Sequence, residues 1–383
     1  MSINFKQQYN PESRALVWSL RKIQNFVYNS CLYEFEDIIN EIDKVDLITP
    51  PQLDFKGKVI NRLIKTQARI FKPVINLNPY IKSISLEQEY DIFFATLDFP
   101  LTISSINSIK NLRQKCKFTV GYIVEIWNSD LPKLKNILQF WSNFDLICIG
   151  HSSSSIVENV QNIINVPCIY LAPGVDAIKF HPNLEKNSRS IDICSLGRRS
   201  NITHEALLKL AEEKQYNYYY DRAKSADSRS SKHQEHRTLT ANLLKSSRYF
   251  ITNHAKVNQP KRTQGQMEIG YRFFEGAAAG NVLIGYPPDT ESFRHYFDWK
   301  DAVIPIAFDE PHINKIILEL DSQPEYLRKI QINNVINSLR KHDWVYRWEQ
   351  VLTKLGLPTS ESMEKRKATL EQMAQSCEKL LSN

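Results

Sequence analysis

The sequence predicts an α/β protein of two halves, each a parallel sheet with helices on both faces. Strand-like and helix-like segments alternate along the chain, as they do where helices connect parallel strands. A break containing proline and glycine, from Pro173 to Pro182, separates this alternation into two series. With 383 residues, of which 42% are hydrophobic and 11% aromatic, the chain is long enough for two domains.

The individual elements follow from apolar periodicity and from turn residues. In the first half we predict strands at residues 14–20, 45–49, 91–96, 117–126, 145–149 and 168–172, helices at 24–43, 103–115, 131–140 and 156–164, and a helix with a short strand at 60–76. In the second half we predict strands at 191–196, 216–220, 249–252, 281–284 and 302–306, and helices at 204–213, 235–245, 267–279, 311–322 and 338–352. Residues 225–231 are predicted to form a surface loop, and residues 358–383 a charged helical tail. The predicted domains are 1–172 and 173–337, followed by a terminal helix at 338–357 and the tail.

The most informative segment is the helix predicted to begin at Met267 and to stop at Gly280. Ile269, Phe273 and Ala277 recur at helical spacing and give it an apolar face. Gly280 stands where a left-handed residue ends a helix. The opposite face combines charged with small residues: Glu268, Arg272, Glu275, Gly270, Gly276 and Ala279. A face of this composition allows a ligand to approach the helix closely. The alternative is a docked helix with a surface Glu268–Arg272 ion pair, which would contribute under ~1 kcal/mol.

Residues 272–280 resemble the nucleotide-sugar helix of glycosyltransferases with the GT-B fold, whose pattern is Arg-x-Phe-Glu-Ala-x-Ala-x-Gly. The resemblance implies that Glu275 binds the ribose hydroxyls and that Arg272 and Gly276 lie in the donor site. Many retaining members carry a second glutamate eight positions earlier, where this chain has Met267. The retaining class is thus expected from the overall resemblance, and position 267 does not support it.

Three further segments support the resemblance. Residues 171–182 are similar to the linker between the two GT-B halves. A Gly-Arg turn that holds the donor diphosphate in the family corresponds to Gly197 followed by Arg198 or Arg199, both candidate catalytic cations. The lysine usual after that turn is missing, and Lys261 or Arg262 is a candidate replacement. The final segment, His-Asp-Trp-x-x-Arg-Trp, is similar to bacterial proteins related to the spore-maturation glycosyltransferase group, in which a terminal helix crosses back to the first domain.

Candidate residues in the first half follow predicted strands, where a parallel sheet opens towards its ligand. Glu125 and Trp127 are predicted on the acceptor side, where a carboxylate and an aromatic ring bind sugars, although a buried capping pair is equally compatible. His151 is a candidate catalytic base. A lone histidine is more often structural.

The sequence lacks the motifs of several other classes of enzyme. The chain has no phosphate-binding Gly-x-x-x-x-Gly-Lys-Ser/Thr loop, no Gly-x-Gly-x-x-Gly and no Gly-x-Ser-x-Gly. It also lacks Asp-x-Asp, the usual metal–diphosphate clamp of the other large glycosyltransferase fold, and no third ligand accompanies His233 and His236. We expect neither a metal site nor a cofactor, with the nucleotide-sugar acting as substrate.

The excess of basic residues is concentrated in one segment of the second half. The net charge is +7, and residues 221–262 hold ten Lys and Arg against three Asp and Glu. Such a field suits an anionic ligand such as a diphosphate, whereas residues 222–232 fit a solvated loop and no nucleic-acid motif accompanies them. The sequence predicts no membrane span and no signal segment, and contact with a membrane surface stays open. The six cysteines contain no Cys-x-x-Cys pair and fit a reducing, cytoplasmic setting.

These observations together predict a metal-independent glycosyltransferase that uses a nucleotide-sugar and a glycan, lipid or small-molecule acceptor. Two alternatives remain open, a catalytically silent binding module of the same fold and a nucleotide-sugar epimerase. Turnover of donor without acceptor would identify the epimerase, and failure to hydrolyse or transfer a labelled donor would identify the silent module.

Overall fold

The computed structural model describes residues 10–24, 26–50, 83–97, 105–106, 108–150, 154–185, 189–221 and 232–382. Within these ranges the chain forms two separate sheets, and every strand pair in both is parallel. The predicted fold class is confirmed. The predictions for residues 60–76, 225–231 and His151 lie outside the described residues.

The first sheet has six strands in the order β2-β1-β3-β4-β5-β6. They are β1 (Ala15–Trp18), β2 (Val45–Ile48), β3 (Tyr90–Leu97), β4 (Cys116–Ile123), β5 (Leu146–Ile149) and β6 (Cys168–Tyr170). Its helices are α1 (Ser30–Ile42), α2 (Leu112–Lys115), α3 (Leu131–Leu138) and α4 (Ser154–Ile164). Strands β1, β4 and β5 are almost continuously apolar and buried, as expected for strands covered on both faces.

The second sheet has five strands in the order β11-β10-β9-β7-β8. They are β7 (Ile191–Ser195), β8 (Tyr218–Tyr220), β9 (Ser247–Asn253), β10 (Val282–Tyr286) and β11 (Ile304–Pro305). The short helix α5 (Ala177–Phe180) precedes this sheet. The sheet is accompanied by α6 (Asn201–Lys214), α7 (His233–Lys245), α8 (Pro260–Thr263), α9 (Tyr271–Ala278), α10 (Glu291–Tyr296) and α11 (Ile313–Asp321).

Three C-terminal helices connect the two halves: α12 (Pro324–Lys341), α13 (Trp344–Lys354) and α14 (Glu361–Ser382). The indole of Trp344 donates to Glu34 at 3.2 Å, and that of Trp348 donates to Asp43 at 2.8 Å. Both acceptors belong to the first half. One apolar cluster runs from the first sheet through these helices to the second sheet, so the halves share a core. The predicted return of the terminal helix to the first half is therefore present.

Three predicted helices have different limits in the structure. At 103–115 only the turn from Leu112 is α-helical among the described residues, because Ile109 forms a parallel bridge with Ile84. The helix predicted at 338–352 is two helices, since Asp343 is extended and caps α13 by accepting from the Val345 N–H. Residues 267–270 precede α9 in non-helical conformation, so this helix begins only at Tyr271.

The C-terminal helix α14 is tied to both halves. Arg366, almost fully buried, pairs with Asp343 and Asp176 at 2.8 Å each and with Glu41 of α1 at 3.1 Å. Arg340 of α12 pairs with Glu371 at 2.7 Å on the outer side. Helix α14 therefore contacts both halves through Arg366.

Candidate functional site

Loops from the carboxyl ends of the two sheets meet between the halves. Glu125 follows β4, and its carboxylate accepts from the ammonium of Lys256, which follows β9. Arg262 of α8 reaches the same carboxylate at 3.1 Å and Asp130 at 3.2 Å. Glu125 and Arg262, predicted on opposite sides of the cleft, are thus in direct contact. Lys256 was not among the residues predicted from the sequence.

Lys256 has an unusual backbone and environment. Its φ is +54°, a left-handed value that residues with a Cβ rarely adopt, and the residue is only 8% exposed. Its Nζ lies 5.6 Å from the ring centroid of Trp127. Burial lowers the pKa of the Lys256 ammonium, Glu125 opposes that change, and the charges of Arg262 and Arg198 add to it. Arg198 therefore lies within electrostatic reach of Lys256.

The glycine turn after β7 has the geometry expected of a loop that needs glycine. Gly197 has φ +86°, and its N–H donates to Asp221 at 3.0 Å. Arg199 pairs with the same carboxylate at 3.1 Å and lies over the ring of Tyr220 at 5.1 Å. Arg198 is exposed and has no hydrogen bond or ion pair to any residue in the described part of the chain. Of the two arginines, Arg198 is the one available to a ligand.

Of two other predicted site residues, Trp127 is buried and Lys261 is exposed. Trp127 is 0% exposed and donates its indole N–H to Glu125 at 3.1 Å. Of the two alternatives predicted for Glu125 and Trp127, a sugar-binding pair and a buried pair, the structure shows the buried pair, with the ring of Trp127 beneath Lys256. Lys261 is exposed and makes no ion pair with the described residues. Lys256, and not Lys261, is the lysine that pairs with Glu125.

Glu275 is fully buried, contrary to the expectation that it lines an open cleft. Its carboxylate accepts from Arg237 of α7, from Arg272 at 2.7 Å and from the Cys31 thiol at 3.3 Å. Arg237 also binds Glu34 of α1 through two hydrogen bonds, at 2.9 and 3.0 Å. Ion pairs link these side chains into a network, Glu34–Arg237–Glu275–Arg272, that joins the second half to the first. Only Arg272 is partly exposed, at 33% of its side chain.

The ionisation of Glu275 depends on this network. Burial alone raises the pKa of a carboxyl group, but Arg272 and Arg237 outweigh that effect and lower the pKa of Glu275 to about 2. Glu275 is therefore charged throughout the physiological pH range. A ribose-binding role for this residue stays a prediction from the resemblance.

Two further expectations about this segment are wrong. Glu268 precedes α9 and accepts from Gln266 at 2.7 Å, so it shares no helix face with Arg272. Gly276 faces the sheet rather than a ligand: a Cβ there would lie 2.6 Å from the side chains of Phe250 and Leu283. The glycine permits close packing of the helix on the sheet. In contrast, Gly280 has the predicted left-handed conformation, with φ +64°.

No helix in the described residues is both long and apolar enough to span a membrane.

Comparison with known proteins agrees with this architecture. Residues 199–353 match the family model described as glycosyl transferase-like. No curated protein matches the chain significantly. Among solved structures, Alr3699/HepE from Anabaena, in complex with UDP and glucose, is similar with a TM-score of 0.53 and 10% identity, covering 89% of this chain and 99% of that chain.

Two more solved structures are similar at lower TM-scores. Sucrose-phosphate synthase from Thermosynechococcus elongatus has a TM-score of 0.49 and 9% identity over 90% of this chain and 99% of that one. A glycosyltransferase from Rickettsia africae has a TM-score of 0.48 and 12% identity over 90% and 98%. The family match and the two-sheet architecture confirm the predicted fold and enzyme class, whereas the spore-maturation subgroup stays a prediction. The chain has the GT-B fold, and residues 199–353 in its second half belong to the glycosyl transferase-like family.

Proposed function

We propose that the protein transfers a sugar from a nucleoside-diphosphate-sugar to an acceptor without a metal ion, and that its second half binds the donor. One observation carries the proposal: Arg198, Lys256 and Arg262 converge at the carboxyl edge of the second sheet, opposite the first. Ligands of parallel α/β sheets bind at this edge. The match of residues 199–353 to the family model supports the same placement.

The chemistry requires positive charge at the leaving group. When the glycosidic bond breaks, the nucleoside diphosphate gains negative charge, and cations fixed at that position lower the barrier. Arginine and lysine can supply this charge where the sequence has no Asp-x-Asp to hold a metal. We assign the diphosphate to this cation cluster, with Arg198 rather than Arg199 as the arginine of the glycine turn that contacts it.

The donor and the stereochemistry are narrower proposals. The similar Anabaena structure contains UDP and glucose, so UDP-glucose is the first donor to test. Retention of anomeric configuration is proposed from the resemblance of residues 272–280 to GT-B glycosyltransferases, and Met267 stands where many retaining members have a second glutamate. The acceptor would lie against the carboxyl edge of the first sheet, where Glu125 and His151 follow strands.

A turnover assay tests this function. The wild-type protein is incubated with UDP-, GDP-, ADP- and dTDP-sugars, with and without EDTA, and release of nucleoside diphosphate and sugar is followed by NMR. We expect at least one donor to be hydrolysed to nucleoside diphosphate and free sugar, which an epimerase does not release, with no loss of rate in EDTA. Arg198→Ala should slow the reaction, whereas Arg294→Ala, which removes an exposed arginine of α10 paired with Asp289, should not.

Three outcomes would contradict the proposal. Binding without any turnover would support the silent module, and isomerisation of the donor sugar without its release would support an epimerase. A strict need for manganese or magnesium, restored by adding the ion after chelation, would overturn the metal-independent mechanism.

A further inference from the structure

The cation cluster of Arg198, Lys256 and Arg262 already contacts an anion, and that anion belongs to the protein. Glu125 binds both Lys256 and Arg262 through one oxygen, Oε1. It comes from the opposite half of the molecule, at the end of β4. A single carboxylate oxygen shared by two cations resembles the way a phosphate oxygen is bound.

Lys256 is held in place more firmly than an ordinary surface ion pair requires. Its backbone is left-handed, its side chain lies against the ring of Trp127, and the turn is closed by a hydrogen bond from the Gln259 N–H to the Lys256 carbonyl at 2.8 Å. Non-glycine residues in such conformations persist where the surrounding structure imposes them, and they cluster at ligand sites. The ammonium is thus presented at a fixed position before any ligand binds.

Charge in the cluster favours an incoming anion. Among the described residues, Lys256 and Arg262 pair with Glu125 and Asp130, and the charge of Arg198 is not compensated by an ion pair. Arg198 is the exposed member and makes no ion pair within the described ranges. A diphosphate carries more negative charge than one carboxylate, so it competes effectively for the same cations.

The geometry points to Lys256 as the residue that replaces the missing lysine of the glycine turn in binding the donor diphosphate, with Glu125 occupying that position until the donor displaces it. This inference rests on the proposed function for the identity of the ligand. In this account the carboxylate of Glu125 competes with the donor diphosphate for Lys256 and Arg262, and does not bind the acceptor. Binding of the donor then breaks the Glu125 contacts between the halves.

Inorganic pyrophosphate is the probe, because it tests the cluster without a nucleobase or a sugar. Its affinity is measured by titration calorimetry on the full chain. Glu125→Gln keeps the shape of the side chain and removes its charge. If Glu125 occupies the cluster about nine-tenths of the time, its removal should raise pyrophosphate affinity about tenfold. A misfolded variant would not bind pyrophosphate more tightly, so a gain of affinity cannot be explained by misfolding.

Lys256→Asn removes the ammonium, and asparagine tolerates the left-handed backbone. Loss of a charged hydrogen-bond donor should weaken pyrophosphate binding about tenfold to a hundredfold. In the double variant the gain from Glu125→Gln should be smaller than in wild type, because one of the two cations that Glu125 binds is already removed. The matched control is Lys209→Asn on α6, which removes an exposed lysine paired with Glu213 and should leave affinity unchanged.

The alternative is that Glu125 and Lys256 only tie the halves together. Both variants would then lower the melting temperature and leave pyrophosphate affinity at the wild-type value, which would overturn the inference. The turnover assay with nucleotide-sugars is independent of this result. If the pyrophosphate effects are observed but no donor is consumed, the anion site is supported and the proposed function is refuted.

Discussion

Replacing Glu275 by glutamine should destabilise the protein strongly, although the substitution preserves shape. Glu275 is 0% exposed and accepts from Arg237 and Arg272, and Arg237 is itself buried. Removing one partner of a buried ion pair costs about 3–5 kcal/mol. Without the Glu275 charge the network would hold two arginines and one carboxylate, Glu34. The lowered pKa gives a similar figure: a change from 4.5 to about 2 corresponds to about 3 kcal/mol.

The pH dependence gives a second readout with a defined sign. The pKa of Glu275 is lower in the folded protein than in the unfolded chain, so its contribution is complete above pH 4.5 and is lost as the pH falls towards 2. Unfolding in urea is followed by fluorescence between pH 3 and pH 7. The gap between wild type and Glu275→Gln should be full at neutral pH and should narrow in acid.

The matched control is Glu371→Gln, which breaks the 2.7 Å pair with Arg340 at a half-exposed position. Exposed pairs contribute about 0–1 kcal/mol, so this variant should unfold close to wild type. Should Glu275→Gln unfold within ~0.5 kcal/mol of wild type at pH 7, which is the range of ordinary surface substitutions, the buried network would have no stabilising role. A lower nucleotide affinity without lower stability would instead favour the ribose role.

Three further predictions concern the C-terminal helix, the helix–sheet contact and the thiols. Arg366→Met leaves the buried Asp343 without its cation and should cost about 3–5 kcal/mol in urea unfolding, whereas the exposed Lys365→Met should cost under about 1 kcal/mol. Gly276→Ala places a Cβ 2.6 Å from two side chains beneath it and should cost about 1–3 kcal/mol by the same measurement. Burial raises the pKa of Cys168 to about 12 and the other five cysteines are buried, so a thiol reagent at pH 8 should label the native protein slowly and all six thiols after denaturation. Fast labelling of the native protein would contradict the packing of these residues.

The parallel strands and most helices were accessible to sequence reasoning because their signals are local. Short apolar runs with alternating helices predict parallel strands, and Gly280 ended its helix as predicted. The helix predicted at 103–115 failed because a bridge between Ile109 and Ile84, distant in sequence, overrides helical periodicity. Such pairings leave no local pattern.

The site was predicted only in part, for a related reason. The rule that selected Glu125 at the carboxyl end of a strand applies equally to Lys256, which follows the predicted strand at 249–252, so this lysine could have been found. Arg237 gave no such signal, since its partners Glu34 and Glu275 come from distant parts of the chain. Burial of Glu275 likewise depends on how the two halves pack, which a helical pattern does not contain.

Equilibrium binding of nucleoside diphosphates tests most directly whether the cation cluster binds the donor. UDP, GDP, ADP and dTDP are titrated into wild type and into an Arg198→Ala/Lys256→Asn double variant, with the corresponding nucleosides as controls. We expect at least one diphosphate to bind wild type and to lose about a hundredfold or more in affinity in the double variant, because two charged contacts are removed. Nucleoside affinity should not change. Equal diphosphate affinity in both proteins, or no binding to wild type at all, would contradict the assignment.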